Sequence, residues 1–188
     1  MKKLLLTSAI LSITACSQDL LTQPKINRDI YTLSDTQVKP AEKASEFNLI
    51  IEKPEVAAGL DTTQIASIKN NQIVYKENAK WADGLGAVVE STIAESFENS
   101  KFFKSVSTED NGVYGNYAVA LQIRDFQVDG DKAKVKISTK LIKLPEREVV
   151  LNLVTSKEAA SSNVAGLDKA FNAAQQEIVG KVVEVLGK

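Results

Sequence analysis

The stretch that most constrains the fold runs from Asp129-Gly130 to Leu141. An Asp-Gly pair tolerates the positive φ of a tight hairpin. After it Ala133, Val135, Ile137, Thr139 and Leu141 fall on one face, while Lys132, Lys134, Lys136, Ser138 and Lys140 fall on the other. A period of two held this long fits a strand with one face on a core and the other in water. Before the turn Tyr117, Val119, Leu121 and Ile123 alternate in the same way, but after Arg124-Asp125 the apolar phase moves to Phe126 and Val128. That slip predicts a β-bulge. Pro145-Glu146-Arg147 then turns the chain into Glu148 to Thr155, with Val149, Leu151 and Leu153 in phase. Three antiparallel strands in succession are expected. The lysine row reads as a solvated sheet face or a guard against edge pairing; phospholipid head groups or an acidic partner surface are the sharper alternative.

Two segments have the helical period instead. Leu85, Val88, Val89, Thr92, Ile93 and Phe97 form an apolar stripe behind Trp81-Ala82-Asp83-Gly84, with Asp83 the expected N-cap. Near the end of the chain Val164, Leu167, Phe171, Ala174, Ile178, Val182 and Val185 keep the period over about six turns, behind Ser161-Ser162-Asn163 as the capping segment. Gly166 and Gly180 interrupt it, each weakening the helix by up to about 1 kcal/mol relative to alanine. Shorter β-prone runs are Ile30 to Leu33, Phe47 to Glu52 and Phe102 to Val106; Asn70-Asn71 predicts a hairpin between Gln64–Ile68 and Gln72–Lys76. Ser34 to Glu46 and Glu109 to Gly115 read as loops. The sum is an α+β two-layer sandwich: an antiparallel or mixed β-sheet covered by two long amphipathic helices, in a single domain over residues 28–188.

The first residues carry a different message. Lys2 and Lys3 precede the apolar run Leu4 to Ala15, which is shorter than the ~18 residues a spanning helix needs. This predicts an export signal over residues 1–15, removed in the mature protein. Ile13-Thr14-Ala15-Cys16 resembles the bacterial lipobox. The resemblance implies cleavage before Cys16, the chain's single cysteine, and anchoring through palmitate-like acyl chains on it; two such chains hold a bilayer firmly. Residues 16–27 read as a lipidated tether. Ser17, where aspartate would favour inner-membrane retention in enteric bacteria, points to the periplasmic side of the outer membrane rather than the inner membrane.

Composition narrows the chemistry. There is no histidine, and the one thiol is assigned to lipid. Ser-His, Cys-His and zinc-thiolate arrangements are thereby excluded, leaving carboxylate, lysine or tyrosine chemistry. Asp125 and Asp129 are the carboxylates weighed as a hydrolytic pair, and their context supports no such role. No catalytic residue, metal site or cofactor is expected. With 23 basic against 24 acidic residues before Lys2 and Lys3 are lost with the leader, nucleic acid is not an expected partner.

The central segment adds a family. Tyr31-Thr32-Leu33, then Leu49-Ile50-Ile51-Glu52-Lys53-Pro54, Ala58-Gly59-Leu60-Asp61-Thr62-Thr63-Gln64-Ile65, Lys80-Trp81-Ala82-Asp83 and Phe97 to Val106 resemble, in order and spacing, the ABC-type transport auxiliary lipoprotein family. That family includes the lipoprotein of the paraquat-inducible lipid-transport system. The resemblance implies a non-catalytic, membrane-anchored periplasmic accessory of an ABC lipid transporter, partnered by an MCE-type component and docking the assembly at the outer membrane. Two other readings stand beside it: a periplasmic lipid-binding carrier with a cavity between helix and sheet, and a structural envelope lipoprotein. Self-association into a homo-oligomer is compatible with each. Trp81 is expected to pack in the core rather than meet a ligand.

Overall fold

The computed structural model describes residues 27–188, so the expected signal, Cys16 and nearly all of the tether lie outside the described residues. In chain order the elements are β1 (Asp29–Tyr31), β2 (Asn48–Ile51), β3 (Glu55–Val56), β4 (Gln64–Lys69), β5 (Gln72–Trp81), α1 (Leu85–Asn99), β6 (Ser105–Thr108), β7 (Tyr117–Asp129), β8 (Lys132–Lys143), β9 (Glu148–Ala159) and α2 (Val164–Leu186).

β7 is the strand on which the sheet is assembled. One edge pairs antiparallel with β8 over its whole length, from Tyr117 opposite Lys143 to Asp129 opposite Lys132. The other edge is divided among three short strands, all parallel to β7: β2 at Leu49–Tyr117, β3 at Glu55–Gln122 and β4 at Ser67–Val128. β9 extends the sheet beyond β8; β5 and then β1 extend it beyond β4; β6 lies beside β2. The mixed sheet follows from the connections: the two-residue turns at Asn70-Asn71 and Gly130-Asp131 give antiparallel neighbours, whereas the parallel neighbours β2 and β6 are joined only through the long passage that includes α1.

Both helices lie on one face. Val119, Leu121, Ile123, Phe126 and Val128 of β7 and Ala133, Val135, Ile137 and Leu141 of β8 form the floor, all closed to solvent. α2 covers it with Leu167, Phe171, Ala174, Ile178 and Val182, and α1 contributes Leu85, Val89, Ile93 and Phe97 to the same core. Phe126 joins the two ends of this layer, with Trp81 edge-on at 5.8 Å and Phe171 at 5.5 Å between ring centres. Such aromatic contacts stabilise by about 0.5–1.5 kcal/mol beyond their burial.

The register slip expected near Arg124 is present between Ile123 and Asp125. Asn70 and Asn71 turn with φ of 51° and 60°, and Gly130 with φ of 61°. α2 is capped as expected, Asn163 Oδ1 accepting from Gly166 N at 3.0 Å. Four details differ from the sequence reading. Asp83 does not cap α1: its Oδ1 accepts from the adjacent Gly84 N at 2.6 Å, and Gly84 is the N-cap without a side-chain bond. β5 continues to Trp81 because Glu77–Trp81 finds partners in β1 and β4, which no local period announces. Phe102 and Phe103 precede β6 instead of starting it; their rings pack edge-on, and Phe103 does the same to Phe97. β2 is buried on both faces, since Ile50 joins Ala118 and Ile142 in a small cluster on the side away from the helices.

Candidate functional site

Three of the five family-like segments, around Tyr31, Thr62 and Trp81, converge on one junction. Tyr31 O accepts from Ala82 N at 2.7 Å, Thr63 O from Trp81 N at 2.7 Å, and Thr62 O from Leu85 N at 3.2 Å. Thus the ends of β1 and β5, the start of β4 and the first turn of α1 are tied together. Leu33, Leu60 and Trp81 fill the space beneath, all buried. The Asp61 carboxylate lies against the start of α1, 4.0 Å from where a Cβ on Gly84 would stand. This junction holds the architecture, and Trp81, only 1% exposed, is core packing.

A strap follows β1. From Ser34 to Val38 the chain runs over α1 and α2: Asp168 accepts from Ser34 N at 2.7 Å and Ser34 Oγ at 3.1 Å, and Ser34 O accepts from Gln175 Nε2 at 3.0 Å. Beside it a groove of about 410 Å³ is lined by Gln37, Val38, Lys39, Ser100, Gln176, Val179, Gly180 and Val183. It opens on the surface, whereas the helix–sheet interface, where the carrier reading would need its cavity, holds Phe171, Ile178 and Val135 fully closed.

Two of the four lysines of the row are paired with acids. Lys132 Nζ meets Glu158 at 3.0 Å, and Lys134 Nζ meets Asp129 at 2.6 Å. The hydrogen bond and charge of Lys132 hold the Glu158 carboxyl below its ordinary value, and the bond to Asp129 raises the Lys134 ammonium. Asp129 is thereby engaged, and Asp125 accepts from Gln127 at 3.3 Å, so the two carboxylates do not converge as an acid/base pair. Among the described residues no group of three His, Cys, Asp or Glu is arranged to hold a metal. No helix among them is long and apolar enough to cross a membrane.

What the free face of the sheet does offer is an apolar row. Ile50, Ala118, Ile142 and Val149 stand side by side across β2, β7, β8 and β9. Gly115 lies directly on Ile50, where a Cβ would approach the Ile50 side chain to 2.5 Å, so the 112–116 loop covers that end. The loop presents Val113 at 46% and Tyr114 at 94% exposure, and at the other side of the row Val149 is half exposed. Exposed apolar residues gathered at one end of a sheet mark a contact surface more often than scattered ones do. Acids stand near the loop: Glu109 and Asp110 precede it, and Glu90 is held above its ordinary value by burial and by Asp110, against Lys53. Repulsion from these carboxylates favours a protein partner over an anionic bilayer. The sequence names Glu109 to Gly115 only as a loop, and the Val-Tyr pair between its two glycines is the sign of its exposed apolar tip.

Comparison with known proteins agrees with the fold. The sequence model of the ABC-type transport auxiliary lipoprotein component family matches residues 31–183. An uncharacterized protein of Bradyrhizobium diazoefficiens is 26% identical over 168 residues; the match takes in 85% of this chain but 45% of that protein, so the chain spans about half the length of its curated relative. Among solved structures, a Xanthomonas campestris protein of the DUF330 family superposes with a TM-score of 0.67 at 21% identity, covering 82% of this chain and 92% of that one. A PelC dodecamer from Paraburkholderia phytofirmans gives 0.51 at 11% identity, covering 76% and 92%. At these identities the structural likeness is one of fold.

Proposed function

Since this chain belongs to the ABC-type transport auxiliary lipoprotein component family, we propose that it is the non-catalytic, membrane-anchored accessory of an ABC lipid-transport system. In this reading acyl chains on Cys16 hold it at the periplasmic side of the outer membrane. Its domain docks an MCE-type component and so positions the transporter. The family assignment carries the reading, and the exposed end of the sheet at Val113, Tyr114 and Val149 supplies the surface on which docking would occur. The closed helix–sheet interface speaks for a scaffold rather than a carrier.

The test is a photo-crosslinking residue at position 114 in the full, lipidated chain, in cells that also carry the transporter. An adduct with the MCE-type component is expected, and Tyr114→Asp should abolish co-purification while leaving the domain folded, because the side chain is almost wholly exposed. Undiminished co-purification of Tyr114→Asp would move the docking surface elsewhere. If the chain captures no transporter component and its loss leaves envelope lipid asymmetry and detergent resistance unchanged, the assignment fails.

A further inference from the structure

The exposed large apolar side chains among the described residues fall into three groups, and the largest group lies apart from the docking surface. Val113 and Tyr114 stand in the loop and three valines on β9; the other five, Ile30 at 65% exposure, Tyr31, Ile73, Val74 and Tyr75, all belong to β1 and β5. These two strands form the margin of the sheet opposite β9, with β4, β7 and β8 between. β1 covers β5 only at Ala79–Trp81, so from Gln72 to Asn78 no strand pairs with the outer edge of β5 among the described residues. Apolar side chains project from both faces of this margin. Tyr31 is in register with the core residue Trp81 and so lies on the helix side, as Val74 does across Ser67 from Val128. Ile30 beside Lys80 and Ile73 opposite Ile68 lie on the other face. Tyr75 shares that face, its Oη donating to Gly59 O at 3.0 Å next to Ile73.

We propose that this margin is the surface by which the domain rests on the bilayer that holds its acyl chains, a contact that presupposes the anchor at Cys16. The chain enters the fold here: β1 is its first described element, and Asp29 stands thirteen positions after Cys16. A chain of that length spans at most about 45 Å even when fully extended. Anchoring therefore keeps the bilayer at high effective concentration around β1. Charge agrees with an anionic bilayer. Residues 28–31 and 69–81 carry Arg28, Lys69, Lys76 and Lys80 against Asp29 and Glu77. None of these three lysines is taken up by an ion pair among the described residues. At the 112–116 loop the sign is reversed by Glu109 and Asp110. The two surfaces also lie far apart along the sheet: Ile68, beside Ile73, is level with Asp129, whereas Tyr117 next to the loop is twelve residues back along β7, about 40 Å away. Tyr114 thus stands clear of a bilayer that Ile73 touches, free for a protein partner. At the head-group boundary isoleucine and tyrosine bury their apolar parts while the phenol and the lysine ammoniums stay in water. The free N–H and C=O groups of β5 find water and head groups at that depth, which hydrocarbon would deny them.

Vesicles of phosphatidylethanolamine and phosphatidylglycerol with brominated acyl chains, which quench tryptophan at the membrane, test this with the full lipidated chain. The native Trp81, 1% exposed, gives the baseline. Ile30→Trp and Val74→Trp should each lose roughly half or more of the added emission, with the indole about 5–10 Å into the head-group boundary. Tyr114→Trp should lose none. Ile30→Glu placed in the Val74→Trp chain should lift the quenching without releasing the protein from the vesicles. Flotation with position 30 unquenched, whether open to a soluble quencher or shielded from it by a second copy, would overturn the contact. Equal quenching at position 114, or quenching that Ile30→Glu leaves unaltered, would overturn it as well. A chain that does not float with the vesicles would overturn the anchor and the contact together, so the two failures are told apart.

Discussion

Ser96 Oγ donates to Gln175 Oε1 at 2.5 Å, joining α1 to α2 where both side chains are fully closed to solvent. Thr36 N donates to the same hydroxyl at 3.0 Å, and Gln175 Nε2 donates to Ser34 O at 3.0 Å. One buried pair therefore fastens the strap to both helices. Replacing Gln175 by leucine removes one bond each from Ser96 Oγ and Ser34 O, which keep Thr92 O and Asn172 Nδ2 as partners, and should cost about 0.5–1.5 kcal/mol in urea unfolding. Ser96→Ala should cost a similar amount, and the double variant less than the sum, since the two share one interaction. Strict additivity would show that the pair is not coupled.

The two glycines of α2 should respond in opposite ways to alanine. At Gly166 a Cβ would stand 2.7 Å from both Ser161 Cβ and Ser161 O and 3.1 Å from Ala133 Cβ. Gly166→Ala must push α2 from the sheet and should destabilise by about 1–3 kcal/mol. At Gly180 nothing lies within 4 Å, and Gly180→Ala should stabilise by up to about 1 kcal/mol. Thermal melts of the two variants give the comparison; equal shifts would contradict it.

Glu90 predicts a pH dependence. Burial chiefly, then Asp110 and Glu109, raise its carboxyl above the ordinary 4.5, while Lys53 opposes them. A carboxyl that binds its proton more tightly when folded contributes stability below its unfolded pKa and loses that contribution as pH rises through the folded value. At neutral pH the charge is therefore a cost, and Glu90→Gln should be more stable than the wild type. The advantage should shrink as pH is lowered through the carboxylate range, and an advantage that grew on acidification would refute the sign.

Cys16 is testable independently of the domain. With the leader retained, Cys16→Ala should shift the protein from the membrane to the soluble fraction on cell fractionation, with no change in the thermal midpoint of the domain. Persistent membrane association would show that acyl chains at this residue are not the anchor.

Legibility in the sequence followed range. The β7–β8–β9 meander, its bulge, the Asn70-Asn71 hairpin and both helices are written in local period and turn chemistry, and all are present. β3 has only two residues and shows no period; it exists because β7 offers an edge there. The second half of β5 was hidden for the same reason. Ser96 and Gln175 lie 79 positions apart, and nothing nearby in the chain tells a buried serine on an apolar stripe that it will meet an amide. For the contact surface, Tyr114 sits in what reads as an ordinary polar loop, and its exposure is a property of the folded sheet end. The segment around Trp81, read as family-like in the sequence, proves to be scaffold, with Trp81 buried.

The division of the β7 edge among three parallel strands also sets a timetable. Asn48 N reaches Asn116 Oδ1 across 68 positions, and Ser67 Oγ reaches Val128 O across 61. As the chain emerges from amino to carboxyl end, β2, β3 and β4 are complete long before the strand that aligns them. Contacts so distant in sequence pay their loop-closure entropy late, and chains dominated by them fold slowly. Apart from the local β4–β5 hairpin and α1, the amino-terminal half should thus stay unassembled until β7 arrives. Ile123→Ala, at the centre of β7, should then slow refolding more than it speeds unfolding.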